Sequence, residues 1–267
     1  MNAAERLALG LVAAERARRA NVAGAEVLEI DGLVLALANL ADPALSSVVV
    51  ERAPRDAGAA LRAAEAEFTL RGLQLGIDLQ VGRHHRIDEA VRSMGLTRIV
   101  ERPGMTIDPR ALPDASVPEG AEIREVGGAE DVEALVQVGV RAFGDDAEVG
   151  RAFYGAGARG LVHARMFVAW RGAQPAGISA AYLDRETTGV MGVGVVPDAR
   201  GRGLGSALTV CAARAFPGAD LVWLHPSDEA RSMYERLGFE RVSDWEVWTR
   251  QVGAHGANLQ AEAARLP

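Results

Sequence analysis

The chain has 267 residues, 49% of them hydrophobic and only 5% aromatic, and a net charge of −7. That length suits one large domain or two of ordinary size with an ample core. The lack of any long basic block argues against nucleic acid as a partner, and a single cysteine, Cys211, excludes an intramolecular disulfide framework and fits a reducing cytoplasm.

In chain order, residues 1–20 alternate apolar positions with Glu5, Arg6, Glu15, Arg16, Arg18 and Arg19. The charges exclude a signal-peptide core or a membrane span and predict a surface helix. Alternation then predicts strands over 27–30, 33–40 and 47–52, a helix over 59–70, a strand over 75–81 and a helix over 87–94. Pro103, Pro109, Pro113 and Pro118, with Gly104 and Gly120 among them, mark an irregular connector that resists helix and strand. Beyond it, strand 121–126 leads to helices 129–143 and 147–158 and strands 166–170, 176–183 and 190–196. A helix over 205–216, a strand at 221–224, a helix over 228–237 and a last strand within 242–249 complete the order.

The most informative stretch runs from Val193 to Leu208. An apolar run ends at Pro197, a glycine-dense turn with Arg200 and Arg202 follows, and a small-residue helix opens directly out of it. Strand, glycine turn and helix N-terminus together form an anion site, because unpaired amides point outward and the helix dipole adds positive charge. Two familiar phosphate loops fail to match. A dinucleotide fingerprint read from Gly201 and Gly203 finds Ser206 where its third glycine belongs, and a P-loop needs a lysine that is absent here. The five histidines, His84, His85, His163, His225 and His255, show no metal-ligand spacing, so no metal is expected. Cys211 falls inside the helix after the turn and reads as a small core residue rather than a nucleophile.

Downstream, Ser227 can cap a helix whose first turn holds Asp228 and Glu229. Ala230, Met233, Tyr234 and Leu237 share one face of it, and Gly238 suits a left-handed stop covered by Phe239. The first part of the chain reads as a worn copy of the second. Met94-Gly95-Leu96 lies where Leu237-Gly238-Phe239 lies, each ending a helix before a last strand. In that copy the stretch 54–61 replaces the long glycine turn and holds one glycine, Gly58, so one anion site per chain is expected.

The pattern Arg200-x-x-Gly203-x-Gly205 resembles the pyrophosphate-binding signature of the GCN5-related N-acetyltransferases, and Tyr234-x-x-Leu237-Gly238-Phe239 resembles the last motif of that family. The resemblance covers 121–250. It implies an α/β fold with a mixed sheet, the acyl-CoA N-acyltransferase (GNAT) fold, here duplicated: 1–112 as a degenerate half, 113–250 as the catalytic domain and 251–267 as a tail. It further implies acetyl-CoA as co-substrate and an amine-bearing acceptor that attacks directly in a ternary complex, in the cytoplasm, with neither nucleic acid nor membrane as partner.

By the same resemblance, Val193, Gly194 and Val195 pair with the pantetheine, and an N–H near Val195 bonds the thioester oxygen. Gly201, Arg202, Gly203, Leu204, Gly205 and Ser206 wrap the pyrophosphate, and Arg200 and Arg202 are candidates for salt links to it or to the 3′-phosphate. Ser227 contacts the pantetheine or pyrophosphate region. Tyr234 is the catalytic residue that protonates the departing thiolate, a phenol of pKa about 10 facing a thiol of about 8.5.

The expected base is not found on strand 221–224, which carries no acid. The nearest candidates, Glu186, Asp184 and His225, read more simply as solvated strand-end or loop residues. Acidic residues around Asp145, Asp146 and Glu148 join the two early helices, where relatives build part of the acceptor pocket. Two further readings are a catalytically idle acyl-CoA-binding or sensing module and a tandem acetyltransferase of the mycothiol-synthase kind.

Overall fold

Two halves of the chain exchange their last strands in the computed structural model, which describes residues 1–250 apart from 21, 39, 41–44, 115, 145 and 155–161. The first half comprises α1 (Ala3–Arg19), β1 (Glu26–Ile30), β2 (Leu33–Leu37), β3 (Ser47–Val50), α2 (Ala57–Leu70), β4 (Gly76–Gln80), α3 (His85–Ser93) and β5 (Thr97–Ile107). The second comprises β6 (Ala121–Glu125), α4 (Ala129–Phe143), α5 (Ala147–Tyr154), β7 (Ala164–Arg171), β8 (Gln174–Asp184), β9 (Thr187–Val195), α6 (Leu204–Ala213), β10 (Leu221–Leu224), α7 (Arg231–Arg236) and β11 (Glu240–Thr249).

The described strands form one sheet in the order β1-β2-β3-β4-β11-β5-β10-β9-β8-β7-β6. β11 pairs antiparallel with β4 of the other half, and β5 pairs antiparallel with β10. Between them β5 and β11 pair with one another along most of their length. The order reads alike from either side of that junction. β3 lies parallel to β4 as β9 lies parallel to β10, and a helix, α2 or α6, connects each parallel pair. The helix ends match as well, since Gly95 and Gly238 both adopt positive φ, 66° and 94°, before β5 and β11.

The predicted connector starts too early. β5 runs through Pro103 and Gly104 to Ile107, paired with β11 from Thr97 to Thr106. Pro103 is tolerated because β10 pairs with β5 only over 105–107, so the missing N–H interrupts no ladder on that side. The irregular segment therefore begins after Ile107. The predicted helix over 147–158 is described to Tyr154, its remainder and the tail 251–267 lying outside the described residues.

The first helix also departs from expectation. Asn2 caps α1 through Oδ1, which accepts the Glu5 N–H at 2.9 Å, but the helix lies across the sheet instead of on its surface. Leu7, Leu11, Val12 and Ala14 are buried against Val34, Val49, Tyr182, Trp223 and Trp245. Gly10 makes this approach possible, because a Cβ there would overlap Trp223 Nε1 and sit 2.9 Å from Trp223 Cε2. Glu15 and Arg19 are only 4% and 3% exposed. They satisfy each other one turn apart, Arg18 adds a second bond to Glu15 at 2.7 Å, and Arg19 donates to Leu45 O. Charges spaced three and four apart on one helix face can thus neutralise each other under the sheet as readily as solvate. On the opposite face, Leu33, Leu35, Leu37, Val48 and Val50 pack under α2 and α3.

Replacing Gly10 by leucine should therefore destabilise the fold by about 1–3 kcal/mol. Urea unfolding of Gly10→Leu beside Gly10→Ala and the wild type measures this, with the leucine variant expected to be the weaker of the two.

Candidate active site

The site begins where β9 and β10 part. They pair in parallel only at 187–189 against 221–223, so among the described residues β9 from Val190 onward has β8 on one side and no strand on the other. A register shift at Ile178/Ala180 sets two residues of β9, Gly192 and Val193, opposite Ser179 alone. Such a bulge bends the strand and increases its twist, which carries β9 away from β10. At its end Val196 donates its N–H to Ala176 O at 3.0 Å. By the alternation of an antiparallel ladder the amide of Val195 faces the other way, into the opening. Gly194 lies under the Phe143 ring of α4, where a Cβ would come within 2.5 Å.

The turn after β9 leads into α6. Gly201 and Gly203 adopt φ of 73° and 83°, a left-handed conformation that costs glycine least. Gly203 is the N-cap and has no side chain to offer. The first intrahelical bond there is Ala207 N–H to Gly203 O at 3.1 Å, which leaves the amides of Gly203, Leu204, Gly205 and Ser206 without an intrahelical acceptor. Asp198, the one acid of the turn, is held away by Arg141 at 2.7 Å. A cleft of about 320 Å³ adjoins the turn, with Arg202, Gly203, Ser206, Ala207 and Val210 on one side and Pro113, Asp114, Ser116 and Pro118 of the connector on the other. These residues fit a diphosphate: open amides, left-handed glycines, a helix N-terminus and an adjoining cleft.

The two arginines divide. Arg202 is exposed and lines the cleft. Arg200 turns back, its Nε donating to Val195 O at 3.0 Å and its terminal nitrogen to Ala142 O at 3.1 Å. Its guanidinium braces the end of β9 against α4 instead of facing the cleft.

The first half closes its equivalent position. Asp56 caps α2, its Oδ1 accepting the Ala59 N–H at 2.9 Å. A carboxylate fills the place that Gly203 leaves open at α6, and its charge opposes an incoming phosphate.

Tyr234 on α7 is 5% exposed and packs edge-on against Phe239 with ring centres 5.9 Å apart. Its hydroxyl bonds Thr209, whose own hydroxyl donates to Gly205 O at 2.9 Å, so the phenol is tied to the first turn of α6. Burial pushes its pKa up to about 12, against the smaller opposing effect of the Thr209 bond. Phe239 donates its N–H to Tyr234 O at 3.0 Å around Gly238, the helix stop read in the sequence.

Ser227 does not cap α7 with its hydroxyl. The helix starts at Arg231 with Ala230 as N-cap, and Ser227 instead offers its carbonyl to the amides of Ala230 and Arg231. The turn that follows Pro226 takes up the first residues of the predicted helix. Cys211 is half-buried, and burial raises its thiol pKa, which suits packing rather than nucleophilic attack.

Asp184 and Glu186 sit in the β8–β9 turn, at the opposite end of β9 from the glycine turn, about 26 Å away at strand spacing. His225 lies beside the opening, and it is not solvated. It is 6% exposed, its ring meeting Trp245 edge-on at 4.8 Å and Trp223 at 6.0 Å. Burial first, and the charge of Arg102 second, hold its pKa well below the ordinary value. Arg102 was not legible as a site residue, because it belongs to the exchanged strand β5 and reaches this place only through the sheet. Thr209 was missed for a similar reason, its partner Tyr234 lying 25 positions away on another helix.

Comparison with known proteins agrees with this geometry. Residues 162–241 match the family model described as an acetyltransferase (GNAT) domain. A mycothiol acetyltransferase of Rhodococcus erythropolis (strain PR4) is 28% identical over 233 residues, covering 74% of this chain and 73% of that protein. One from Thermomonospora curvata is 30% identical over 172 residues, covering 58% and 56%. Among solved structures, a GCN5-related N-acetyltransferase from Kribbella flavida superposes with a TM-score of 0.77 over 97% of this chain and 99% of its own, at 24% identity. A tandem GNAT protein from the clavulanic acid biosynthesis pathway gives 0.59 over 81% and 77%, at 20% identity. The superpositions establish the fold. The family match adds that residues 162–241 resemble an acetyltransferase (GNAT) domain within that fold.

The raised pKa of Tyr234 has a measurable consequence. A phenol at about 12 in the fold and about 10 unfolded contributes stability that is present below pH 10 and lost as pH rises towards 12, at most about 3 kcal/mol. The chain contains no lysine, so few other groups titrate in that window. Urea midpoints should fall between pH 9.5 and 11.5 in the wild type, and fall less in Tyr234→Phe.

Proposed function

We propose that the chain transfers the acetyl group of acetyl-CoA to the nitrogen of an amine acceptor by direct attack in a ternary complex. In this reading residues 113–250 form the catalytic domain and 1–112 a degenerate partner that walls the acceptor side. The observation that carries it is the uncapped N-terminus of α6, reached through two left-handed glycines at the end of a strand that has left its neighbour.

The amides from Gly201 to Ser206 would hold the pyrophosphate with Arg202 beside them, and the unpaired edge of β9 at Val193, Gly194 and Val195 would align the pantetheine. The Val195 N–H then faces the thioester oxygen, where one such donor is worth ~3 kcal/mol of barrier. Arg200 serves by holding Val195 O, which fixes that amide, and the proposed phosphate contact passes to Arg202 alone. Ser227, at the turn before α7, would line the pantetheine side.

In this reading the buried phenol of Tyr234 exchanges its bond to Thr209 for a hydrogen bond to the departing sulfur. Outright proton transfer from a group at about 12 to a thiolate of about 8.5 would be uphill by ~5 kcal/mol, so stabilisation without full transfer is the role its environment favours. Acetyl-CoA supplies the activated thioester, and the chain supplies grip, aim and an excluded solvent. The two relatives named mycothiol acetyltransferase favour a narrower second reading, in which the amine belongs to a precursor of that thiol.

Calorimetry with coenzyme A, followed by thiol release from acetyl-CoA across a panel of primary amines, tests the reading. Tight binding with no turnover would support an idle sensing module instead. Gly203→Asp should abolish binding, because a carboxylate there would occupy the amides as Asp56 does in the first half. Arg202→Ala should weaken coenzyme A roughly tenfold, and less so at high salt. Arg200→Ala should leave affinity nearly unaltered and lower turnover. Tyr234→Phe should bind normally and turn over more slowly; turnover equal to wild type would remove its assigned role.

A further inference from the structure

We propose that His225 is a catalytic residue: its Nε2 receives the proton that the acceptor amine loses on attack. The proposal rests on the acetyl-transfer reading above and supplies the base that β10 otherwise lacks.

Position comes first. β10 is bound to β9 only as far as Trp223, opposite Gly189. His225 follows two residues later, so strand alternation points it to the same face as Trp223, towards α1, just past the place where β9 and β10 part. The acids proposed from sequence, Asp184 and Glu186, are at the wrong end of β9, and the segment Leu221–Leu224 contains none.

The immediate surroundings point the same way. Trp245 and Trp223 hold the ring from two sides, at 4.8 and 6.0 Å. Nε2 is buried and has no hydrogen-bond partner among the described residues, a state that costs about 1–3 kcal/mol. An N–H brought in by a ligand would satisfy it. The charged groups that face this end of the sheet come from several elements. Arg102 of β5 acts on the imidazole directly, and it bonds Asp78 of β4 at 2.7 Å. Glu15, Arg18 and Arg19 of α1 lie beyond that pair. Burial and Arg102 together keep the ring neutral, the form that can accept a proton.

The step balances within the established partners of the reaction. The amine nitrogen forms the new C–N bond at the thioester carbon while one of its protons moves to Nε2. The C–S bond breaks with its electron pair remaining on sulfur. The imidazolium so formed is disfavoured by the same burial and by Arg102, which drives its proton on to the thiolate. Tyr234 meanwhile stabilises that sulfur with its hydrogen bond, and neutral imidazole is restored.

Full-length His225→Asn and His225→Gln provide the test, with coenzyme A calorimetry, thermal melting and thiol release from acetyl-CoA using glucosamine, tyramine and cysteine amide as amine probes. Both variants should bind coenzyme A within twofold of wild type and lose roughly 100-fold in turnover. Turnover within threefold of wild type overturns the role of His225 while leaving acetyl transfer intact. A wild type that binds no coenzyme A, or binds it and acetylates none of the three amines, overturns the underlying reading and this proposal together. Should both variants melt early, ¹⁵N-imidazole spectra of the wild type decide the matter. A neutral His225 signal that shifts on addition of acetyl-CoA supports the assignment, and a signal blind to acetyl-CoA overturns it.

Discussion

The ladder between β5 and β11 is the constraint on which the other features depend. Each strand leaves its own half and lies next to the other, so neither parallel pair can complete its sheet alone. The exchange sets β5 between β10 and β11 and so brings Arg102, itself bonded to Asp78 of β4, close enough to act on His225 at the end of β10. Burial and the neighbouring guanidinium are tertiary products of this crossing.

The two copies share a topology and have parted in chemistry. At α6 the cap is a glycine whose missing side chain leaves four amides for an external anion, and at α2 an aspartate consumes that capacity internally. A self-capped helix is the more stable object on its own, since a capping side chain is worth about 1 kcal/mol. The open end of α6 is thus a local sacrifice of stability, the sort of departure from local rules expected where a ligand completes the structure. α1 is held by the first half yet covers the face of the second, and its close contact at Gly10 and Trp223 keeps the composite rigid.

Much of the second half was legible because its signals are local. The limits of α4 and β10 agree with periodicity, and the stop at Gly238 with its cover by Phe239 follows from residues adjacent in the chain. The anion loop could be read for the same reason, since its chemistry is made by consecutive backbone amides. Arg200 shows where such reading ends. Its presence in the motif was plain, but whether its guanidinium turns outward or back to Val195 O depends on α4 lying beside it. Pro103 and Gly104 misled because proline and glycine normally break strands, and only a place in the sheet with no partner on one side makes Pro103 harmless.

The sequence by itself determined most of the elements, the repeated order of the two halves and the glycine turn with its open amides, all of which arise from interactions a few residues long. Tertiary structure alone decided which half owns each last strand, that the charges of α1 are buried in mutual pairs, and that His225 is shielded from water rather than solvated. Those outcomes depend on long-range contacts, where burial removes the solvent that side chains otherwise see and chain distance says nothing about proximity.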